Sequence, residues 1–249
     1  MKYKQLVILL SSILLLSSFT SATILYEHNF EDNTIGGNWV DDTPTGGNTD
    51  FTVESGSPLT GTYSGKFHST TGDGTGLVYK NFSSQTNTTT IHFTASFTND
   101  RGYFWIGDPD QADPEYVTSH FGSCHNDNKF NIYNGASYID SGVACNTGTP
   151  YNITFIAHSF GASSKSDLYI NGNVALANIT DRGSVNDIGR FGVSGSAGGR
   201  TTYLDNIKIC TGYFSTWGDC GEMGDPTFSQ SSTATDTDPE TEDTNTLLN

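Results

Sequence analysis

The sequence predicts an all-β protein, a sandwich or barrel of short antiparallel strands, and three observations predict it. Apolar and polar residues alternate over Thr88–Thr98, where Ile91, Phe93, Ala95 and Phe97 interleave with His92, Thr94, Ser96 and Thr98, and again over Tyr151–His158. Two Asn-Gly pairs, Asn134-Gly135 and Asn171-Gly172, lie between such runs, and Asn-Gly supplies the positive φ angles that tight hairpin turns need. Outside the N-terminal leader, no window places apolar residues at a convincing helical spacing.

Taken in order, the chain opens with Lys2 and Lys4, an apolar run Leu6–Leu16, and small residues ending at Ala22. This is the pattern of a secretory signal cleaved after Ala22, and the run is too short for a stable membrane span. Residues 1–22 are therefore a leader, 23–221 one β domain, and 222–249 a tail. Strands are expected at Thr23–Phe30, Phe51–Val53, Tyr63–His68, Leu77–Phe82, Thr88–Thr98 and Gly102–Gly107. Further strands follow at Val117–Gly122, Lys129–Tyr133, Ser137–Ile139, Tyr151–His158, Asp167–Ile170, Asn173–Ile179, Arg190–Ser194 and Thr202–Cys210. Trp39 falls in a Gly/Asp/Thr loop, and Gly-rich turns separate the runs. Residues 225–249 hold no Lys or Arg and almost no apolar side chains, so ordering them would not be offset by burial, and disorder is expected.

Of 249 residues, 11 are Lys or Arg and 27 Asp or Glu, for a net charge of −16. Losing Lys2 and Lys4 with the leader makes the balance more acidic still. Such a surface repels nucleic acid and anionic lipid and attracts cations. Cys124, Cys145, Cys210 and Cys220 are an even set in a secreted chain, which suggests disulfides, with the local pairs 124–145 and 210–220 preferred. Zinc is the alternative, but no Cys-x2-Cys spacing occurs. Asn81, Asn87, Asn152 and Asn178 head glycosylation sequons, although such triplets also arise by chance in an Asn- and Thr-rich chain.

The stretch Gly189–Cys210 raises the sharpest question. Strict alternation along Thr202–Cys210 puts Tyr203, Asp205, Ile207 and Ile209 on one face. An aspartate among isoleucines needs hydrogen-bond donors or a cation. The string Tyr203-Leu-Asp-Asn-Ile-Lys-Ile, with Ile188-Gly-Arg-Phe-Gly before it, is similar to the closing strands of laminin G-like domains in the concanavalin A-like lectin and glucanase superfamily. Asp167-Leu-Tyr-Ile-Asn-Gly-Asn resembles the hairpin of the same branch, and Thr149–His158 the strand before it. Asn29-Phe-Glu-Asp resembles the opening of these domains and of MAM domains. The motifs keep the family order from about Leu25 to Ile209.

The resemblance implies a two-sheet antiparallel jelly roll with first and last strands adjacent. It implies a structural calcium ion near that junction, held by Asp205 and Glu31 with backbone oxygens, calcium being a taker of hard oxygen ligands. The other reading of Asp205 is a carboxylate that accepts backbone N–H bonds at a turn. Asp108-Pro-Asp-Gln-Ala-Asp-Pro-Glu115 is either a second calcium loop or a solvated acidic loop, and it lacks the EF-hand pattern.

The family also hosts glucanases and lyases. A retaining glycosidase needs two carboxylates about 5 Å apart, and no Glu-x-Asp-x-Glu string is present. His92 and His158 are expected as exposed polar residues. Catalysis is accordingly not expected. In Tyr103-Phe104-Trp105, Tyr103 and Trp105 share a face opposite Phe104, so one face is core and the other is available to stack a sugar ring. Trp105 has a core reading and a sugar reading, and Trp39 is a ligand-contact candidate. The expected function is binding of a glycan or an extracellular protein partner by a secreted domain. A structural or adhesive surface subunit is the alternative, and a glycan-active hydrolase or lyase the third.

Overall fold

The structure, a computed structural model, describes residues 22–41, 49–69, 76–98, 102–109, 119–125, 127–195 and 199–221. The leader up to residue 21, the tail from 222, and Asp110, Asp113 and Glu115 of the acidic loop lie outside the described residues. The elements are β1 (Ile24–His28), β2 (Trp39–Asp41), β3 (Thr49–Glu54), β4 (Ser64–Ser69), β5 (Gly76–Gln85), β6 (Thr89–Phe97), β7 (Gly102–Gly107) and β8 (Ser119–Cys124). They continue as β9 (Lys129–Tyr133), β10 (Tyr138–Ala144), β11 (Tyr151–His158), β12 (Lys165–Ile170), β13 (Asn173–Thr180), β14 (Ile188–Gly195) and β15 (Arg200–Thr211).

Two antiparallel sheets result. The first runs β13-β12-β11-β6-β15-β4-β3, with β1 also paired to β15, and the second runs β10-β9-β8-β7-β14-β5-β2. Between them, inward side chains of alternating strands form the core: Ile91, Phe93, Ala95 and Phe97 of β6 meet Phe104 and Ile106 of β7 and Phe191 and Val193 of β14. Phe93, Phe104 and Phe155 pack edge to face at centroid distances of 5.3–5.4 Å. The hairpin β12–β13 turns on Asn171 and Gly172, both at positive φ (52° and 77°), as its Asn-Gly predicts. The cysteines form the two local disulfides Cys124–Cys145 and Cys210–Cys220.

β15 departs from strict alternation. Its long edge is shared: Arg200–Leu204 pair with β4, and Ile207–Cys210 pair with β1. Where the partner changes, the pairing with β6 shifts register between Asp205 and Lys208, and Asn206 takes a φ of 47°. This bulge resets the phase. Leu204, Ile207 and Ile209 enter the core, whereas Tyr203 is only half-buried. The expectation that Tyr203 shares a face with both isoleucines is thus corrected. Trp39, expected in a loop, opens the three-residue strand β2 instead.

Candidate functional site

The second sheet has an outer face unlike the solvated face of an ordinary sandwich. Alternation along β7 sends Phe104 and Ile106 into the core and Tyr103 and Trp105 outward, where they cluster with Leu77 and Tyr79 of β5 and with Val40, Tyr133 and Tyr138. Strand register places these in rows. Gly192 of β14 pairs with both Tyr79 and Trp105, and Tyr133 pairs with Tyr138. Gly192 has a physical reason: a Cβ there would collide with the Trp105 indole, which lies across the glycine. The next row carries Tyr103, Ser123, Asn131 and Asp140, paired in turn.

Trp105 is fully buried, and Tyr79 and Tyr103 nearly so, while Tyr133 and Tyr138 keep part of their surface exposed. His125 stacks on Tyr138 at 3.9 Å, Arg182 lies over Tyr133 at 5.3 Å, and Arg190 lies over Tyr79 at 4.7 Å. Lys129 bonds Asp140 at the rim. Three buried polar atoms on this face have no partner among the described residues: Trp105 Nε1, Ser123 Oγ and Asn131 Oδ1. Each unmade bond of this kind costs on the order of 1–3 kcal/mol, so a water or a ligand polar group is what such atoms need. Flat aromatic faces beside unfilled donors and acceptors suit the apolar face and hydroxyls of a sugar.

Of the expected ligand residues, Tyr103 and Trp105 therefore share one face. Trp39 does not join them: its ring packs inward on Phe51 at a centroid distance of 4.6 Å and edge-on to Phe191. Trp105 is buried, but on the side away from the inter-sheet core. Tyr79, Tyr133, Tyr138, Ser123 and Asn131 escaped the sequence reading. Tyr133 and Tyr138 flank the recognised Asn134-Gly135 turn, and period-two counting from that turn was the available signal.

The second expected site lies where β15 changes partner. Asp205 is fully buried at the bulge. Its Oδ2 accepts from Thr60 N (3.0 Å), Thr60 Oγ1 (2.6 Å) and Ser64 Oγ (3.3 Å), and its Oδ1 accepts from Asn206 N (2.8 Å). Glu31, just past β1, accepts from Thr62 N and Tyr63 N of the same 59–63 loop. Gly61, at a φ of 59°, leaves room for that carboxylate where a Cβ would fill it. The two terminal segments thus meet the same loop through one carboxylate each. Burial pushes the Asp205 carboxyl above its ordinary range, against the lowering effect of the Thr60, Asn206 and Ser64 bonds. No basic side chain pairs with it among the described residues. Carboxylate and hydroxyl oxygens are the hard ligands calcium takes, and Asp205 Oδ1, which accepts a single N–H bond, keeps lone-pair capacity for such an ion.

Other groups have settled roles. His92, expected to be exposed, is fully buried, with Nδ1 at 2.9 Å from Thr154 Oγ1 and Nε2 at 2.7 Å from the Asp219 carbonyl. It lies near Cys210 and Cys220, but the disulfide removes both thiolates as metal ligands. The sequon residues Asn81, Asn87 and Asn178 are exposed, and Asn152 is half-buried. Among the described residues no helix is long and apolar enough to cross a membrane.

No family model matches the sequence, and no curated protein matches it. In structure the chain is similar to an endo-β-1,4-glucuronan lyase from the fungus Trichoderma reesei, with a TM-score of 0.54 at 12% identity over 78% of this chain and 98% of that one. It is similar also to the cellulose-induced protein Cip1, with a TM-score of 0.50 at 16% identity over 79% of this chain and all of the other. The likeness shows the fold alone, a two-sheet antiparallel jelly roll, which is the architecture the terminal-strand motifs implied.

Proposed function

We propose that this protein is a secreted carbohydrate-binding domain that lays a glycan chain across the outer face of its second sheet, and that it binds without making or breaking bonds. The observation that carries this reading is the aromatic row Tyr79–Trp105–Tyr133–Tyr138 beside Trp105 Nε1, Ser123 Oγ and Asn131 Oδ1, which have no partner among the described residues. Trp105, Tyr79 and Tyr103 form a rigid floor. Tyr133, under Arg182, and Tyr138, stacked on His125, keep part of their surface exposed, and that surface is what a sugar can reach. Paired disulfides and the leader pattern support an extracellular address. A calcium ion at Glu31 and Asp205 belongs to the same proposal, as a structural support whose charge offsets that of the buried carboxylate.

The test is titration calorimetry of the full chain with a soluble neutral β-glucan and with a soluble polyuronate. At least one polymer binds, and Tyr133→Ala and Tyr138→Ala each weaken it about tenfold, the loss of one stacked ring. Absence of binding to both polymers, or a double variant that binds like the native protein, would overturn the proposal.

A further inference from the structure

On the opposite side of the sandwich, the chain leaving β15 folds back over the outer face of the first sheet as a strap, residues 212–221. The strap has no regular structure, and a disulfide and several hydrogen bonds hold it, among them Phe214 N to Thr90 Oγ1 and the Tyr213 hydroxyl to Asp167. Cys210–Cys220 ties its end to the strand it left. His92 Nε2 meets the Asp219 carbonyl at 2.7 Å, Thr90 Oγ1 donates to the Gly212 carbonyl at 2.7 Å, and Trp217 Nε1 donates to the Phe93 carbonyl at 3.4 Å. Between the strap and the β1–β15 pair lies a pocket of about 450 Å³, bordered by Glu27, His28, Asn29, Asn206, Lys208 and Trp217. A volume of this order is usual for small-molecule sites.

Its polar groups are oriented and in part unspent. Asn29 Oδ1 accepts the Glu31 N–H at 3.2 Å, which fixes the carboxamide and leaves Nδ2 as a donor. Asn206 Nδ2 donates to Thr60 Oγ1 at 2.9 Å, which leaves Oδ1 as an acceptor. Glu27 stands opposite Lys208 across the β1–β15 ladder, so the rim carries one charge of each sign. A charged ligand would meet its like charge here, whereas hydroxyl groups can donate to Glu27 and to Asn206 Oδ1 and accept from Asn29 Nδ2. The Trp217 indole supplies the apolar wall that a sugar ring needs.

We infer that this pocket is a second carbohydrate site, separate from the tyrosine face, which takes a neutral mono- or disaccharide end rather than a length of chain. The inference rests on the pocket alone and does not depend on the function proposed for the second sheet.

The test is saturation-transfer NMR on the full chain with the methyl glycosides of glucose, galactose, mannose and N-acetylglucosamine. At least one glycoside shows transfer, and competition titration gives its affinity. Trp217→Ala weakens that affinity at least tenfold. Because Trp217 also braces the strap, Glu27→Gln is the deciding variant: Glu27 is exposed, its exchange leaves the fold intact, and it weakens the same glycoside several-fold. Tyr133→Ala leaves the affinity unchanged, so failure here is distinct from failure of the sheet-face proposal. No transfer from any of the four glycosides, or native affinity in Glu27→Gln, would overturn the inference.

Discussion

His92 shows what one residue does when its polar strand face is covered rather than solvated. Nε2 can serve the Asp219 carbonyl only as a donor, so in the neutral ring Nδ1 is the acceptor for the Thr154 hydroxyl. Burial disfavours the charged ring, and this outweighs the raising effect of the Asp219 carbonyl, so the pKa falls to about 4. In the unfolded chain the ring titrates near its ordinary value of 6.5. Between these values the unfolded state binds more protons than the folded one. Stability is therefore fully present above pH 6.5 and is lost as pH falls through about 4, by about 3 kcal/mol in total. Urea unfolding of the native protein and of His92→Gln across that window checks it, and the variant shows a shallower loss. Alternation made the strand position of His92 legible, but not its burial, because the covering strap is irregular and leaves no periodic trace. Asp205 was legible as a carboxylate in need of donors. The positive φ of Asn206, which removes Asp205 from the isoleucine face, was not, since Asn only permits that conformation and the change of partner strand selects it.

At the scale of elements, the strap depends on a single covalent link that closes a loop of ten residues. Replacing both Cys210 and Cys220 by Ser removes a constraint on the unfolded chain worth about 2–3 kcal/mol, which for a domain of this size lowers the melting temperature by about 5–10 °C. The same change loosens Asp219 from His92, so the double variant also loses part of the acid sensitivity of the native protein. A melting temperature unchanged by the pair of substitutions would mean that the hydrogen bonds of the strap hold it alone. The legible elements are those whose physics is local. β6 and β11 carry long alternations, and the β12–β13 turn carries its Asn-Gly. β2 was missed because three residues are too few to show a period. β10 was seen only at its start, since a register irregularity between Asp140 and Ala144 breaks the pattern.

At the scale of the whole molecule, β1 and β15 close the first sheet from the two ends of the domain, and loop 59–63 bonds the carboxylates of Glu31 and Asp205 beside that closure. The motif order made this closure legible, whereas the tyrosine face was not, because it is assembled from strands across the whole second sheet, whose register no single segment encodes. The junction also predicts how the molecule answers calcium. In chelator, the raised pKa of Asp205 means that the folded state holds its proton more tightly than the unfolded chain does. Its contribution is then present below the ordinary carboxylate value and is lost as pH rises through the folded value. Calcium reverses that sign by favouring the ionised carboxylate. An ion bound only by the folded state at a hundred times its dissociation constant adds about 2.7 kcal/mol, or about 5–10 °C in the melt. The shift grows from acid to neutral pH and vanishes in Asp205→Asn. A melt indifferent to calcium at neutral pH would instead leave Thr60, Ser64 and Asn206 as the full answer to the buried charge, with β1 and β15 joined by hydrogen bonds alone.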